Sequence, residues 1–266
     1  NNNKCEDAKA VRREANRRKE LYDNKSSKRE DHSNKLRVIG YDGDKKLDNI
    51  PHYHPERLVN EINQNKLENC ELFIHAPFNE ELAQADPDKN NTSIAFQARF
   101  KYSNDTEFTG RAIFSGDADH NVWRKILEET EDHDNEEYLK WDIFLSPHHC
   151  SWSFFNNRPY EDDENKEPVE SSKKIIGDTY RQEGAYIIAS SKLIKDNNDN
   201  PPHNPAKIEY EKEVSKERFN NTANKPNEKE PKPLIFEFKY QTGFELLKQN
   251  LPAGAFFTTR RSQRAG

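Results

Sequence analysis

The sequence predicts an α/β layered fold, and three observations carry that expectation. Short apolar blocks alternate with amphipathic stretches along the chain. Residues 93–102 alternate with period two, placing Ile94, Phe96, Ala98, Phe100 and Tyr102 on one side. The most apolar blocks each stop in a polar knot of Ser, Gly, Asp, His or Pro. Period-two alternation marks a half-buried strand, and strands interleaved with helices mark helix layers packed on a sheet.

The elements follow in order. Residues 4–22 read as a peripheral helix: Glu6 and Asp7 sit in its first turn, Arg17, Arg18 and Lys19 lie toward its end, and its apolar residues are few. Residues 23–35 read as loop. Leu36 to Gly40 reads as a short strand ended by the turn signal Tyr41-Asp42-Gly43-Asp44. Pro55 to Leu67 reads as a helix, with Leu58, Val59 and Ile62 on one face. Strands follow at Glu71–His75, Ser93–Tyr102 and Phe108–Phe114, with a polar loop over 79–91. Val122, Trp123, Ile126 and Leu127 mark an amphipathic helix. Asp142–Ser146 and Ala185–Ser190 read as compact buried strands, and Ala206–Val214 as a helix. Residues 156–173 read as a charged insertion and 195–205 as an Asn/Asp/Pro loop. Residues 215–233 read as a polar linker. Leu234–Tyr240 and Phe244–Leu247 form a hairpin around Thr242-Gly243, followed by a basic tail over 258–266. The predicted organisation is a helical and loop insertion region at 1–69, a core at 70–214, the linker, and the hairpin with its tail at 234–266.

Composition narrows the function classes. With 266 residues the chain is long enough for a full core, yet it is 32% hydrophobic and 34% charged, which implies a folded core carrying polar insertions. The 42 basic and 48 acidic residues are mixed and leave a net charge of −6, so nothing argues for broad electrostatic binding to nucleic acid. No apolar run approaches the roughly 20 residues of a membrane helix, and no signal peptide is visible. Cys5, Cys70 and Cys150 are odd in number and scattered, which suggests a reducing, cytoplasmic compartment. The chain holds no methionine and starts Asn1-Asn2-Asn3. That reads as a piece of a longer protein, or as a sequence from which methionines have been omitted.

The chemistry is expected at the knots, because strand ends feeding loops are where α/β sheets place their sites. The first knot is Ser115-Gly116-Asp117-Ala118-Asp119-His120, the second Ser146-Pro147-His148-His149-Cys150-Ser151, and the third contains Pro201-Pro202-His203. Carboxylate and imidazole suit zinc, manganese or iron. Gly116-Asp117 equally suits a strand-to-helix turn with an aspartate cap. His52 and His54 form an H-x-H pair with no nearby third ligand, so they read as structural. His120 and His133 read as solvated. His75 ends a strand and faces either the site or the loop. Ser151 and Cys150 lack a nucleophile elbow, and no glycine-rich phosphate loop is present.

Taken together and in order, these segments resemble the metallo-β-lactamase superfamily, most closely the hydrolase domain of ComEC-type DNA-uptake proteins. Leu72-Phe73-Ile74-His75-Ala76-Pro77 followed by Asn90-Asn91-Thr92-Ser93-Ile94-Ala95-Phe96 resembles a strand pair of that family. Ala112 to Asp117 resembles its LLTGD segment. Asp142 to Ser151 resembles DVLKVPHHGS, with Cys150 in place of glycine. Ala185 to Pro205 resembles the later ISVG…HPHP segment, with His203 near its histidine.

The resemblance implies an αββα sandwich, of which this chain holds the middle and C-terminal portion. It implies one or two divalent ions, zinc first and manganese as the alternative. Asp117 would be a metal ligand and catalytic, and one of His148 and His149 a further ligand. Asn91, Ser93 and Ser151 would support the site. His203 would line it, binding the leaving group or donating a proton. The implied activity is metal-dependent hydrolysis of a phosphodiester or ester, nucleic acid included; a lactonase or phosphocholine esterase would use the same residues. The family's H-x-H-x-D-H signature is absent here and is expected upstream. The competing expectation is a non-catalytic scaffold or interaction subunit that kept the fold and lost the metal.

Overall fold

The computed structural model describes residues 6–40, 45–62, 65–78, 92–103, 105, 107–240 and 243–247. The predicted turn at 41–44, the loop at 79–91, Thr242 and the basic tail lie outside them. So do Cys5 and Asn91.

Helix α1 (Glu6–Asp23) is held by its own charges rather than by packing. Glu14 pairs with Arg17 and Arg18, Glu6 with Lys9, and Asp23 with Lys19, all at helical spacing. Of its side chains only Tyr22 is buried, in a small cluster with Leu47 and Ile50. Strands β1 (Val38–Ile39) and β2 (His52–Tyr53) pair in parallel beside it.

The expected helix at Pro55–Leu67 is instead three short strands, β3 (Arg57–Val59), β4 (Glu61–Ile62) and β5 (Asn65–Lys66). Leu58, Val59 and Ile62 do fit a helical face, but β3 pairs antiparallel with β6 (Cys70–Ala76), setting Leu58 opposite Phe73 and Val59 opposite Leu72. Pairing across a sheet overrides local helix periodicity.

After β6 come β7 (Ala95–Phe100), β8 (Gly110–Phe114), helix α2 (His120–Asp132), β9 (Trp141–Leu145), helix α3 (Glu170–Ile176), β10 (Arg181–Ala189), helix α4 (Asn204–Val214), β11 (Phe219–Asn221) and the hairpin β12 (Phe236–Lys239) and β13 (Gly243–Leu246). One seven-stranded mixed sheet runs β11-β10-β9-β8-β7-β6-β3. It extends past the predicted 70–214 core at both edges. The stretch expected to be only linker supplies β11, whose three residues are buried and run parallel to β10.

Strands β8 to β11 are mutually parallel, and each step moves the same way across the sheet. Right-handed crossovers then put all three connecting helices on one face. There Val122, Trp123 and Ile126 of α2, Ile175 of α3 and Tyr210 of α4 pack on Ile113, Phe144 and Ile187. The opposite face is partly covered by the hairpin, where Phe236 and Phe244 meet Ile143, Ile188, Phe100 and Tyr186. The Phe238 ring lies so close to Gly110 that a Cβ there would sit 2.6 Å from it and would force the ring to move. Among the described residues there is no second large sheet. No helix among them is long and apolar enough to cross a membrane.

Candidate functional site

The C-terminal ends of β8, β9, β10 and β11 share one edge of the sheet, and the polar knots gather there. Ser115 ties the first two ends together, its hydroxyl donating to the Leu145 carbonyl at 3.1 Å. Gly116 then turns with φ +50, close against the Ile94 carbonyl and Ser93, where a side chain would be strained. The turn delivers the Asp117 backbone N–H to Ser93 Oγ at 3.1 Å. The aspartate that caps α2 is Asp119, which accepts from the N–H groups of Asn121 and Val122. Asp117 therefore has no capping duty, and its carboxylate is half-exposed.

The second knot is a turn of three consecutive non-glycine residues at positive φ: His148, His149 and Cys150. Each costs about 1 kcal/mol or more relative to ordinary backbone. Backbone bonds hold the turn: His148 N–H donates to Gly116 O, Cys150 N–H to Pro147 O, and His203 N–H to Cys150 O. The turn sends the two imidazoles to different partners. His149 donates Nδ1–H to the Ser190 carbonyl at 2.7 Å and sets Nε2 3.7 Å from Asp117 Oδ1. His148 places Nδ1 3.2 Å from Ser153 Oγ.

The Asp117–His149 geometry has a definite electrostatic meaning. With the Nδ1 proton committed to Ser190, the acceptor nitrogen of a neutral His149, Nε2, lies 3.7 Å from a carboxylate oxygen. Two acceptors facing each other repel unless a proton or a cation lies between them. The structure thus brings Asp117 and His149 together, where residue type alone left His148 and His149 equivalent.

The remaining expected residues take distinct places. Ser93 contacts Asp117 as described. Ser151 is buried and donates to Asn200 Oδ1 at 2.7 Å. His203 joins the knot through its backbone, but its ring packs 5.0 Å from Tyr160 and 6.0 Å from Trp152. Burial holds its imidazole below the usual range, and Nδ1 is buried with no hydrogen-bond partner. His75 lies in the core beneath Tyr138, its Nε2–H donating to the Tyr138 carbonyl at 3.0 Å. His52 and His54 each bond neighbouring carbonyls, of Ile50 and Pro55. His120 bonds the Ser153 carbonyl, and His133 that of Glu129.

Beside His149 lies an open cleft of about 430 Å³, walled by Ser190, Ser191, Lys192, Pro201, Pro202 and Thr222. Lys192, one of its walls, pairs with Asp199 at 3.1 Å. Ser153, Ser190, Lys192 and Asn200 carried no sequence signal of their own. Ser190 acts through a backbone carbonyl that any residue could supply.

Burial pushes the Cys150 thiol up to about 12 and excludes a nucleophilic thiolate near neutrality. Iodoacetamide at pH 8 should leave Cys150 unmodified in the folded protein. Peptide mapping that found Cys150 alkylated as fast as in urea would contradict the buried placement.

Together these features define a mixed α/β protein with a carboxylate–imidazole pair at the C-terminal edge of four parallel strands. Among the described residues no group of three His, Cys, Asp or Glu side chains is arranged to hold a metal ion. Comparison with protein-family models, with curated proteins and with solved structures gives no match.

Proposed function

We propose that this chain is the middle and C-terminal portion of a metallo-β-lactamase-like αββα hydrolase. It would act in the cytoplasm on a phosphodiester or ester, with nucleic acid among the candidate substrates. The observation that carries the reading is the approach of His149 Nε2 to Asp117 Oδ1 at 3.7 Å. The donor types fit zinc or manganese, and the Ser190 carbonyl orients the imidazole as an outer partner does at many metal-bound histidines. Two donors make half a site. The others would come from the H-x-H-x-D-H segment that the resemblance places upstream.

A bound divalent ion supplies an acidified water and positive charge for the developing oxyanion. The chain's own residues do the rest. Asp117 and His149 would hold the ion, Ser93 fixes the Asp117 backbone, and the cleft beside His149 would receive the substrate. His203 would help frame the site through its backbone N–H, which donates to the Cys150 carbonyl.

Zinc titration followed by calorimetry tests the reading. Asp117→Ala and His149→Ala should each weaken zinc binding at least about tenfold. Equal affinity in wild type and both variants would sink the metal assignment. The alternative is a non-catalytic scaffold that kept the fold and lost the metal. It predicts no saturable zinc binding even in the intact gene product, whose mass by spectrometry also shows whether upstream sequence exists.

A further inference from the structure

We infer that Asn200 and Ser151, acting through Ser153, hold the proton of His148 on Nδ1, which makes them positioning residues for that ring. The inference follows from counting hydrogens along one chain of contacts, and it stands apart from the metal reading.

The chain is anchored by a group whose polarity is certain. The backbone N–H of Trp152 donates to the Asn200 side chain at 3.1 Å, so the atom it meets is the amide oxygen, not the amide nitrogen. Ser151 Oγ approaches the same oxygen at 2.7 Å and must therefore donate its only hydrogen there. Ser151 Oγ has two further neighbours, Ser153 N at 3.2 Å and Ser153 Oγ at 2.9 Å. With its hydrogen spent, Ser151 can only accept from both, so the Ser153 hydroxyl donates to Ser151. The hydrogen of Ser153 is then spent as well. At the last link, His148 Nδ1 lies 3.2 Å from Ser153 Oγ, and the only remaining proton is the one on Nδ1.

All three polar partners belong to the frame of the site. Ser151 and Ser153 are buried, and Asn200 precedes Pro201 and Pro202, which wall the cleft. A neutral imidazole in water prefers its proton on Nε2. The relay reverses that preference for His148 and fixes its proton on Nδ1. His149 reaches the same state by a shorter route, through the Ser190 carbonyl. The two adjacent rings therefore carry the same tautomer through unrelated devices.

Long-range ¹H–¹⁵N correlation spectra of the labelled chain at pH 8 read the tautomer of each ring directly, with His148 assigned by its loss in His148→Gln. The expected wild-type result is a dominant Nδ1–H form for His148. In Ser151→Ala the Ser153 hydroxyl is released and can donate to Nδ1, so the Nε2–H form should become the majority. In Asn200→Asp and Ser153→Thr, which keep the acceptor and the hydroxyl, the Nδ1–H form should persist. His149 should keep Nδ1–H in every variant and reports that the turn is intact. A dominant Nε2–H form in wild type would overturn the inference on its own. So would an unchanged Nδ1–H form in Ser151→Ala with the His149 signal retained.

Discussion

Trp152→Ala is expected to lower the free energy of unfolding by about 4 kcal/mol, the typical cost of emptying a large aromatic site in a core. Trp152 has no exposed surface. Its ring packs 5.3 Å from Phe155, 4.7 Å from Tyr160 and 6.0 Å from His203, and its indole N–H donates to the Asn165 carbonyl at 2.7 Å. Truncation leaves a cavity among four partners and a buried carbonyl without its donor. It also loosens the segment that carries Ser151 and Ser153. Urea denaturation measures the loss, with Val11→Ala on the exposed face of α1 as a control expected to change stability by less than about 0.5 kcal/mol. Trp152→Phe should recover most of the packing but not the indole bond. A loss below about 1 kcal/mol in Trp152→Ala would mean that the stretch after the His148–Cys150 turn is not packed as described.

The second large effect is a dependence of stability on pH that originates at His75. Burial holds this imidazole down at about 4, against its ordinary 6.5. As pH falls through 6.5 the unfolded chain binds a proton that the folded chain refuses until about 4. The stabilising advantage of a neutral buried ring is therefore complete above 6.5 and is lost between 6.5 and 4, about 3 kcal/mol over the whole window. Asp142 acts in the opposite sense. Burial pushes its carboxyl up to about 6, against the opposing bond from the Arg111 backbone, so the folded state takes that proton first and gains as pH falls from 6 toward 3.8. The wild-type curve mixes both, and the difference from His75→Gln isolates the histidine. The advantage of wild type over the variant at pH 7.5 should narrow by about 2 kcal/mol at pH 4.5. An advantage that does not change with pH would place the ring in water.

Much of the sheet was legible because its middle strands are written in apolar and β-branched residues. Phe73-Ile74, Ile143-Phe144 and Ile187-Ile188 can be buried on two faces in few other ways. Helix α2 was legible for the same reason at period 3.6, through Val122, Trp123, Ile126 and Leu127. The edges were not. Leu58, Val59 and Ile62 satisfy a helix as well as a strand, and only the partner strand β6 decides between them. Phe219-Asn220-Asn221 reads as loop because asparagine favours turns. In the fold, Asn221 Nδ2 reaches the Ser191 hydroxyl at 2.7 Å, and β10 supplies the ladder. The site divides similarly. Asp117, His148 and His149 stand out by residue type at strand ends, whereas their partners Ser153, Asn200 and the Ser190 carbonyl do not.

By itself the sequence determined that strands and helices alternate, that the middle strands are buried, and that acidic and histidine side chains sit where those strands end. These are consequences of hydrophobic period and of turn-forming residues, both local properties of the chain. Only the tertiary structure decided that β3 and β11 extend the sheet, that His149 rather than His148 meets Asp117, and that His203 turns its ring to Tyr160 and Trp152. The first follows from pairing of β3 with β6 and of β11 with β10; the other two depend on which segments cross at the shared strand ends and on the positive φ angles held at His148, His149 and Cys150. Long-range backbone bonds from Gly116 and His203 set that geometry, and no local pattern encodes a bond between residues tens of positions apart.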